Sequence, residues 1–593
     1  MGAGTARGGA CLLISGKVRK NMEFVVFAGV LLLLFLFMIV QEIVQVKKQE
    51  KLFEKSLREN YGKEPPKEYS LERFARLGSY LERHKDEKQL DDITWNDLGM
   101  DEVFRRIDRT HSAAGEEYLY YTLRNISCGR EALEHLEEVT DWLQEQENTR
   151  MRIQLLMKRL GHLGKYSLYD YLDNLDYLGE RGNRKIVLGN LLYLPFLLLL
   201  YVQPAVGTIG IVVCMLWHIM TYFREKKVIE PYIISFAYVL RLIDVCEELE
   251  KQKIPVYQAE LEELGEALRS LRELKRGAYW VMAGNQGRIG GNPLDILADY
   301  IRMILHLDIL QFNRMLQKLR RKTGQVEKLL AITGYLDMAV SIGGFRKSLE
   351  AYCIPELEED TKKAFLYMEN GWHPLLTHPV KNSIRADRGV LLTGSNASGK
   401  STFLKMVAVN AILAQTIHTC TAESYKAPVF RIFSSMALRD SMENGESYYI
   451  VEIRSLKRIL DAAKAGTDPV LCFVDEVLRG TNTVERIAAA TQILIHLAGS
   501  GALGFAATHD IEMTELLKDR YDNYHFEEVI RDGDIMFPYQ LLQGKASTRN
   551  AIRLLQMMGY DEEIIKKASG QAECFLKTGK WTADPSRISE GTT

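Results

Sequence analysis

The densest run of chemically capable residues lies between positions 389 and 510. Gly394-Ser395-Asn396-Ala397-Ser398-Gly399-Lys400-Ser401 has the spacing G-x-x-x-x-G-K-[ST], and Thr402 follows it. In that pattern the glycines let the backbone curl until its N–H groups, together with the start of the next helix, face phosphate oxygens. A lysine placed as Lys400 reaches β- and γ-phosphates, and a hydroxyl placed as Ser401 ligates Mg²⁺. A second cluster, Asp475-Glu476, is a carboxylate pair. Asp475 can hold a Mg²⁺ shell, and Glu476 can orient and deprotonate an attacking water. A third polar position, His509, suits a γ-phosphate sensor. These residues together imply hydrolysis of ATP with Mg²⁺: Lys400, Glu476 and His509 as catalytic groups, residues 394 to 402 as nucleotide contacts, and Ser401 and Asp475 as metal ligands.

Positioning such groups requires strands that end at the right places. Gly389 to Thr393 reads as a short buried strand running into the glycine-rich loop, with a helical pattern from Thr402 to Ala414. Val470 to Val474 is a second buried-strand run ending at the carboxylate pair, and Leu503 to Thr508 a third ending at His509. In open α/β sheets ligands bind beyond the carboxyl ends of strands, which is where all three sets fall.

The rest of the chain bounds the setting. At 593 residues it exceeds what one core organises, and 47% apolar with 26% charged residues excludes a largely disordered chain. A formal net charge of −2 provides no global basic field, so any nucleic-acid surface must be local. Its densest basic cluster in the central helical region is Lys318 with Arg320-Arg321-Lys322, read as a solvated helix face. The eight cysteines are scattered, without C-x-x-C pairs, and read as reduced thiols.

Two stretches read as membrane segments. Phe24 to Val40 is an unbroken apolar run at the short limit for crossing roughly 30 Å of hydrocarbon. Ile186 to Phe223 is too long for one helix and is interrupted by Gln203-Pro204, which reads as a turn between two spans. Basic residues flank the second stretch on both sides, Arg181, Arg184 and Lys185 before it and Arg224, Lys226 and Lys227 after it. The positive-inside rule then puts both flanks in the cytoplasm and the short amino-terminal tail outside, in a multi-pass protein of the cell membrane.

At this point the residues resemble the MutS family of DNA mismatch-repair ATPases. Thr393 to Thr402 is similar to the family's TGPNMGGKST, and Phe403 to Gln415 to its YLRQVALIVLLAQ. Asp475 to Thr483 resembles DEIGRGTST, and Ala507-Thr508-His509 matches ATH. Gly445-Glu446-Ser447-Tyr448-Tyr449, with Glu452 beyond, resembles GRSTFMVE, whose serine acts on the nucleotide of a partner subunit; the resemblance gives Ser447 that role and implies a homodimer. Ser395 stands in place of proline, Ala397-Ser398 of Met-Gly, Leu478 of glycine, and Glu485-Arg486 of Asp-Gly. Upstream, Asp101 to Arg124 resembles the start of the family's helical core, Leu336 to Ser341 its end, and His373-Pro374 the approach to the ATPase.

The resemblance implies an α/β P-loop ATPase domain of ABC type joined to a mostly α-helical lever domain, with transmembrane helices. The expected divisions are a tail and first span at 1–45, a helical linker at 46–90, a lever domain at 91–350 with the membrane hairpin at 186–223, the ATPase at 351–570 and a tail at 571–593. Only about 100 residues precede the lever region, which leaves no room for the family's mismatch-reading domain. Its Phe-x-Glu wedge occurs only as Phe223-Arg224-Glu225 and Phe526-Glu527-Glu528. The expectation is a membrane-anchored, dimeric ATPase that acts on DNA without true mismatch reading, in contact with the lipid bilayer. The alternative is a membrane-bound ABC-type ATPase that drives a transport or signalling rearrangement without DNA.

Overall fold

The computed structural model describes residues 47–582 and positions 37, 40, 41, 44 and 45, apart from 65–68, 87, 127–128, 164–166, 276–299, 360, 362, 396–397, 437–447, 467, 479–480, 532–533, 547–550 and 580. Most of the apolar run from Phe24 to Val40 therefore lies outside the described residues. The chain forms two compact units, one drawn from residues 1–61, 111–113 and 146–333, the other from 62–110, 114–145 and 334–593. The segment 91–350 is thus divided between them.

Within its described residues the first unit is helical. Its spine is the helix Pro204–Leu249, 46 residues long, against which Glu147–Leu160 and Tyr193–Val202 pack. This spine starts where the sequence predicts a break. Gln203 leaves helical geometry (φ −138°, ψ 83°), and Pro204, which lacks an N–H to satisfy, takes the first helical position. The hairpin this creates is close-packed through glycine. A Cβ at Gly207 would lie 2.6 Å from the Leu200 backbone nitrogen, and one at Gly210 would lie 2.0 Å from the Phe196 ring. Two stretches are long and apolar enough to cross a membrane, Arg184–Val202 and Pro204–Glu230. The second continues without interruption past the expected limit at Phe223.

The basic cluster at 318–322 sits at the end of a helix and not along its face. The helix Leu307–Leu319 stops at Arg320, whose guanidinium donates to the carbonyls of Leu175 (2.6 Å) and Gly179 (3.1 Å). Lys318 pairs with Glu273, and Lys322 donates to the Ser270 carbonyl.

The second unit holds the strands. We number them β1 Glu356–Glu358, β2 Leu366–Gly371, β3 Asn382–Ala386, β4 Gly389–Thr393, β5 Ser424–Pro428, β6 Arg431–Ser435, β7 Val470–Asp475, β8 Leu503–Ala507, β9 Tyr521–His525, β10 Val529–Arg531, β11 Asp534–Met536 and β12 Leu542–Gln543. A six-stranded sheet has the order β12-β9-β4-β8-β7-β6, parallel except for β12 against β9. A smaller sheet, β1-β5-β2-β3, adjoins it in sequence. Strands β4 and β8 are buried at every residue, as expected for parallel strands covered on both faces. The helix Lys400–Thr416 is buried throughout from Phe403 to Thr416 except for Lys405. Helix Asp92–Leu98 closes the β6 edge: the Ser434 hydroxyl donates to Asp97 (2.7 Å), and its backbone N–H donates to the Thr94 hydroxyl (3.1 Å). Two phrases quoted from the sequence also meet in this unit, since a Cβ at Gly115 would lie 2.3 Å from an Asp337 carboxylate oxygen.

Candidate functional site

The glycine-rich loop leaves β4 and enters the helix Lys400–Thr416 through two residues with positive φ, Gly394 (+137°) and Gly399 (+105°). Side chains there would be strained and also blocked. A Cβ at Gly394 would lie 2.5 Å from the Phe526 carbonyl oxygen, and one at Gly399 3.0 Å from the Tyr539 ring. Lys400 is buried, with Nζ donating to the carbonyls of Gly394 (2.9 Å) and Ser395 (2.8 Å), so its ammonium lies inside the loop. Ser398 is buried beside it, and Thr402 is exposed one position beyond Ser401. Asn396 and Ala397 lie outside the described residues, as does Ser447.

The carboxylate pair comes to the same place along the sheet. Strand β7 pairs with β8, which pairs with β4, so the ends of the three strands stand side by side. The Ser401 hydroxyl donates to Asp475 Oδ2 at 2.5 Å, joining the helix start to the end of β7. His509 Nε2 stands 2.5 Å from Glu476 Oε1. Five of the residues singled out from sequence, Lys400, Ser401, Asp475, Glu476 and His509, thus converge on one edge of one sheet.

Several groups that the sequence did not assign hold this arrangement. Glu476 and Leu478 both have positive φ (57° and 58°), a conformation that costs a residue with a Cβ about 1–2 kcal/mol. Glu476 is fixed by its N–H to the Ala507 carbonyl (2.9 Å), and the buried Glu452 carboxylate accepts the Leu478 N–H. Glycine at 478 in the MutS phrase has a physical reason that this chain overrides with a buried leucine. Arg486, where the phrase has glycine, makes two hydrogen bonds to Asp510 (2.7 and 3.0 Å), next to His509. Ser395, where the phrase has proline, donates to Glu528 (2.9 Å) and so fastens the loop to the chain after β9. Each departure from the motif was the available signal, but none indicates its partner.

A cavity of about 450 Å³ opens beside the loop, lined among others by His373, Asn382, Met406, Phe526 and Tyr539 together with Ser398 to Phe403 and Glu476. Its volume lies in the range of sites that hold a small ligand. Burial, and next to it the charge of Lys405, pulls the His373 imidazole down to about 4, so it is neutral at physiological pH. Phe526, the aromatic of one Phe-x-Glu, is buried against Phe403 in this wall.

The donors fit Mg²⁺ with ATP. A hydroxyl and a carboxylate within 2.5 Å of each other are hard oxygen ligands of the type Mg²⁺ takes one or two at a time, the rest coming from water and phosphate.

Residues 390–575 match the family described as MutS domain V. The chain is similar to the DNA mismatch repair protein MutS of Thermus thermophilus, 33% identical over 208 residues, which is 34% of this chain and 25% of that protein. It is similar to the DNA mismatch repair protein MutS of Natronomonas pharaonis, 28% identical over 274 residues, or 44% of this chain and 31% of that protein. The corresponding protein of Lactobacillus acidophilus is 29% identical over 273 residues, with the same two shares. The chain thus spans about a quarter to a third of the length of these relatives. Residues 390–575 of this chain thus belong to the MutS domain V family.

Proposed function

We propose that the chain is a Mg²⁺-dependent ATPase, anchored in the cell membrane and active as a homodimer on DNA, without the mismatch reading of repair proteins proper. The observation that carries the ATPase reading is the convergence of Lys400, Ser401, Asp475, Glu476 and His509 at one sheet edge. Lys400 exchanges its two loop carbonyls for phosphate oxygens. Ser401 and Asp475 would hold Mg²⁺, which supplies charge neutralisation at the phosphates. Glu476, held by its contact with His509, takes the proton of the attacking water. The test is steady-state ATP hydrolysis by the full chain in detergent, with Mg²⁺ and with chelator. Hydrolysis that survives chelation, or none at all, overturns this reading.

Membrane anchoring rests on the apolar helices Arg184–Val202 and Pro204–Glu230, of which 6% and 17% is buried. Their basic flanks favour a cytoplasmic ATPase. The dimer rests on the family and on Ser447: Ser447→Ala and Lys400→Ala subunits, mixed, should regain one working site per heterodimer.

One observation favours the second reading, an ATPase that drives a membrane rearrangement without DNA. In the densest basic cluster of the central helical region, Arg320 is engaged on two carbonyls and Lys318 and Lys322 have partners within the chain. Hydrolysis rates with no DNA and with homoduplex, G·T mismatched and branched DNA separate the readings. Stimulation by any duplex supports the first. A mismatch preference above about tenfold would restore mismatch reading.

A further inference from the structure

Cys353 and Cys420 face each other across an isolated antiparallel bridge, exchanging backbone hydrogen bonds of 3.0 Å (Cys353 N–H to the Cys420 carbonyl) and 2.9 Å (the reverse). A pair that exchanges both bonds has its Cα atoms about 5.5 Å apart with side chains on one face of the ladder. That lies inside the usual Cα separation of a disulfide, about 4.4–6.8 Å. Both thiols are free, Cys420 fully buried and Cys353 half-buried. Beside them Tyr425 is buried, and its hydroxyl has no hydrogen-bond partner among the described residues.

We propose that Cys353 and Cys420 form a peroxide-sensitive dithiol site that closes to an intramolecular disulfide. The accessible Cys353 thiolate attacks one peroxide oxygen. An S–O bond forms, the O–O bond breaks, and the departing hydroxide takes a proton to leave as water, so sulfur is oxidised to sulfenic acid as peroxide is reduced. The Cys420 sulfur then attacks the Cys353 sulfur. The S–S bond forms, the S–O bond breaks, and the hydroxide leaves as water with the Cys420 proton.

The electrostatics follow the same division of labour. A side-chain hydrogen bond with Cys420 lowers the Cys353 thiol from its ordinary value, which favours the nucleophilic thiolate, while burial pushes Cys420 well up. The same two sulfurs add to the burial that raises the Tyr425 phenol, placing its hydroxyl within electrostatic reach of both. That hydroxyl is available to donate to the sulfenic oxygen. The Cys420 thiol also donates to the Asn410 carbonyl at 3.6 Å, on the helix that begins at Lys400, and oxidation removes this contact.

The test uses the full chain in detergent, treated with a small excess of hydrogen peroxide, blocked with N-ethylmaleimide and mapped by mass spectrometry without reduction. The expected result is a 353–420 cross-link, loss of two free thiols, and recovery with dithiothreitol. Cys420→Ser should instead accumulate a dimedone-reactive sulfenic acid on Cys353, and Cys574→Ser should change nothing. Cys353 should react about tenfold or more faster than the half-buried Cys574. Absence of the cross-link in folded wild-type protein, or oxidation of Cys574 ahead of Cys353, overturns the proposal. The wild-type map decides even where Cys420→Ser fails to fold.

Discussion

The helix Lys400–Thr416 and the hairpin Arg184–Val202 with Pro204–Glu230 are all rich in apolar residues, and they meet opposite environments. In the first, residues such as Leu404, Val407, Ala411 and Ile412 are fully buried between a sheet and its covering helices. In the hairpin, Leu198, Tyr201, Val202, Ile209 and Met220 are exposed. The surrounding backbones differ as well. Around the first, Gly394, Gly399, Glu476 and Leu478 have positive φ, whereas no described residue from 184 to 230 does. Apolar sequence therefore does not by itself say what a segment packs against. In one region it packs against protein, and strained loops can be held at the edge of a rigid core. In the other, the described backbone is helical apart from the break at Gln203, the form that the proposed lipid setting would require.

The largest effect expected is on chemistry at that rigid edge. Glu476→Gln should still bind ATP while turnover falls about 10²- to 10⁴-fold, the usual contribution of general-base assistance. Steady-state hydrolysis with a parallel nucleotide-binding measurement checks it. Unchanged turnover would take Glu476 out of the mechanism and leave the strained carboxyl edge without a catalytic purpose.

The next test bears on the hairpin. Leu198 is 74% exposed, so in water Leu198→Arg would shift stability by no more than about 0.5 kcal/mol. Within a bilayer the same change costs about 2.5–3.5 kcal/mol. The expected outcome is a marked drop in the fraction of protein that resists alkaline extraction from membranes. An unchanged fraction would mean that the exposed face of this helix does not meet lipid.

The geometry of the glycine-rich loop was legible because it is local: eight consecutive residues, two of them glycines at the positions that need positive φ, define the cradle. The strand ends at Asp475 and His509 were legible because buried strands read as apolar runs with a polar residue at the end. Their bracing was not. Glu452 holds the Leu478 N–H from 26 residues away and Ser395 reaches Glu528 across 133, pairings set by the fold and not by any spacing. The basic run at 318–322 read as a helix face because composition does not show where the helix stops. The hairpin turn was legible from Gln203-Pro204, but its second helix continues to Leu249 through Pro231, a residue whose local preference is to break a helix, so its true end was not legible.

Acid tests the sheet-bearing unit through His373, which lies in the cavity wall. Its folded-state value of about 4 lies below the ordinary 6.5, so between those values the unfolded chain binds more protons. The stability it contributes is complete above about pH 6.5 and is lost as pH falls toward 4. By pH 5 the loss should be about 2 kcal/mol. Thermal unfolding of wild type and His373→Gln at pH 7 and pH 5 measures it. The wild type should lose more stability than the variant over that interval, and equal losses would mean that His373 titrates normally in the folded protein.

The smallest effect isolates backbone strain from apolar burial. Leu478 is buried in the same core as Leu494, but its φ is +58° whereas Leu494 lies within the helix Thr483–Gly499. Truncating either to alanine removes comparable buried surface, at a cost of about 2–5 kcal/mol. Going on from alanine to glycine should then act in opposite directions. At 494 it adds the usual penalty of about 0.5–1 kcal/mol, because the unfolded chain gains freedom. At 478 it also relieves about 1–2 kcal/mol of left-handed strain, which exceeds that penalty. Leu478→Gly should therefore be more stable than Leu478→Ala by about 1 kcal/mol, and Leu494→Gly less stable than Leu494→Ala. Denaturant midpoints of the four variants decide it. If the order at 478 matched that at 494, the buried leucine would be free of strain, and the glycine of the MutS phrase would need another explanation, such as room for an approaching group.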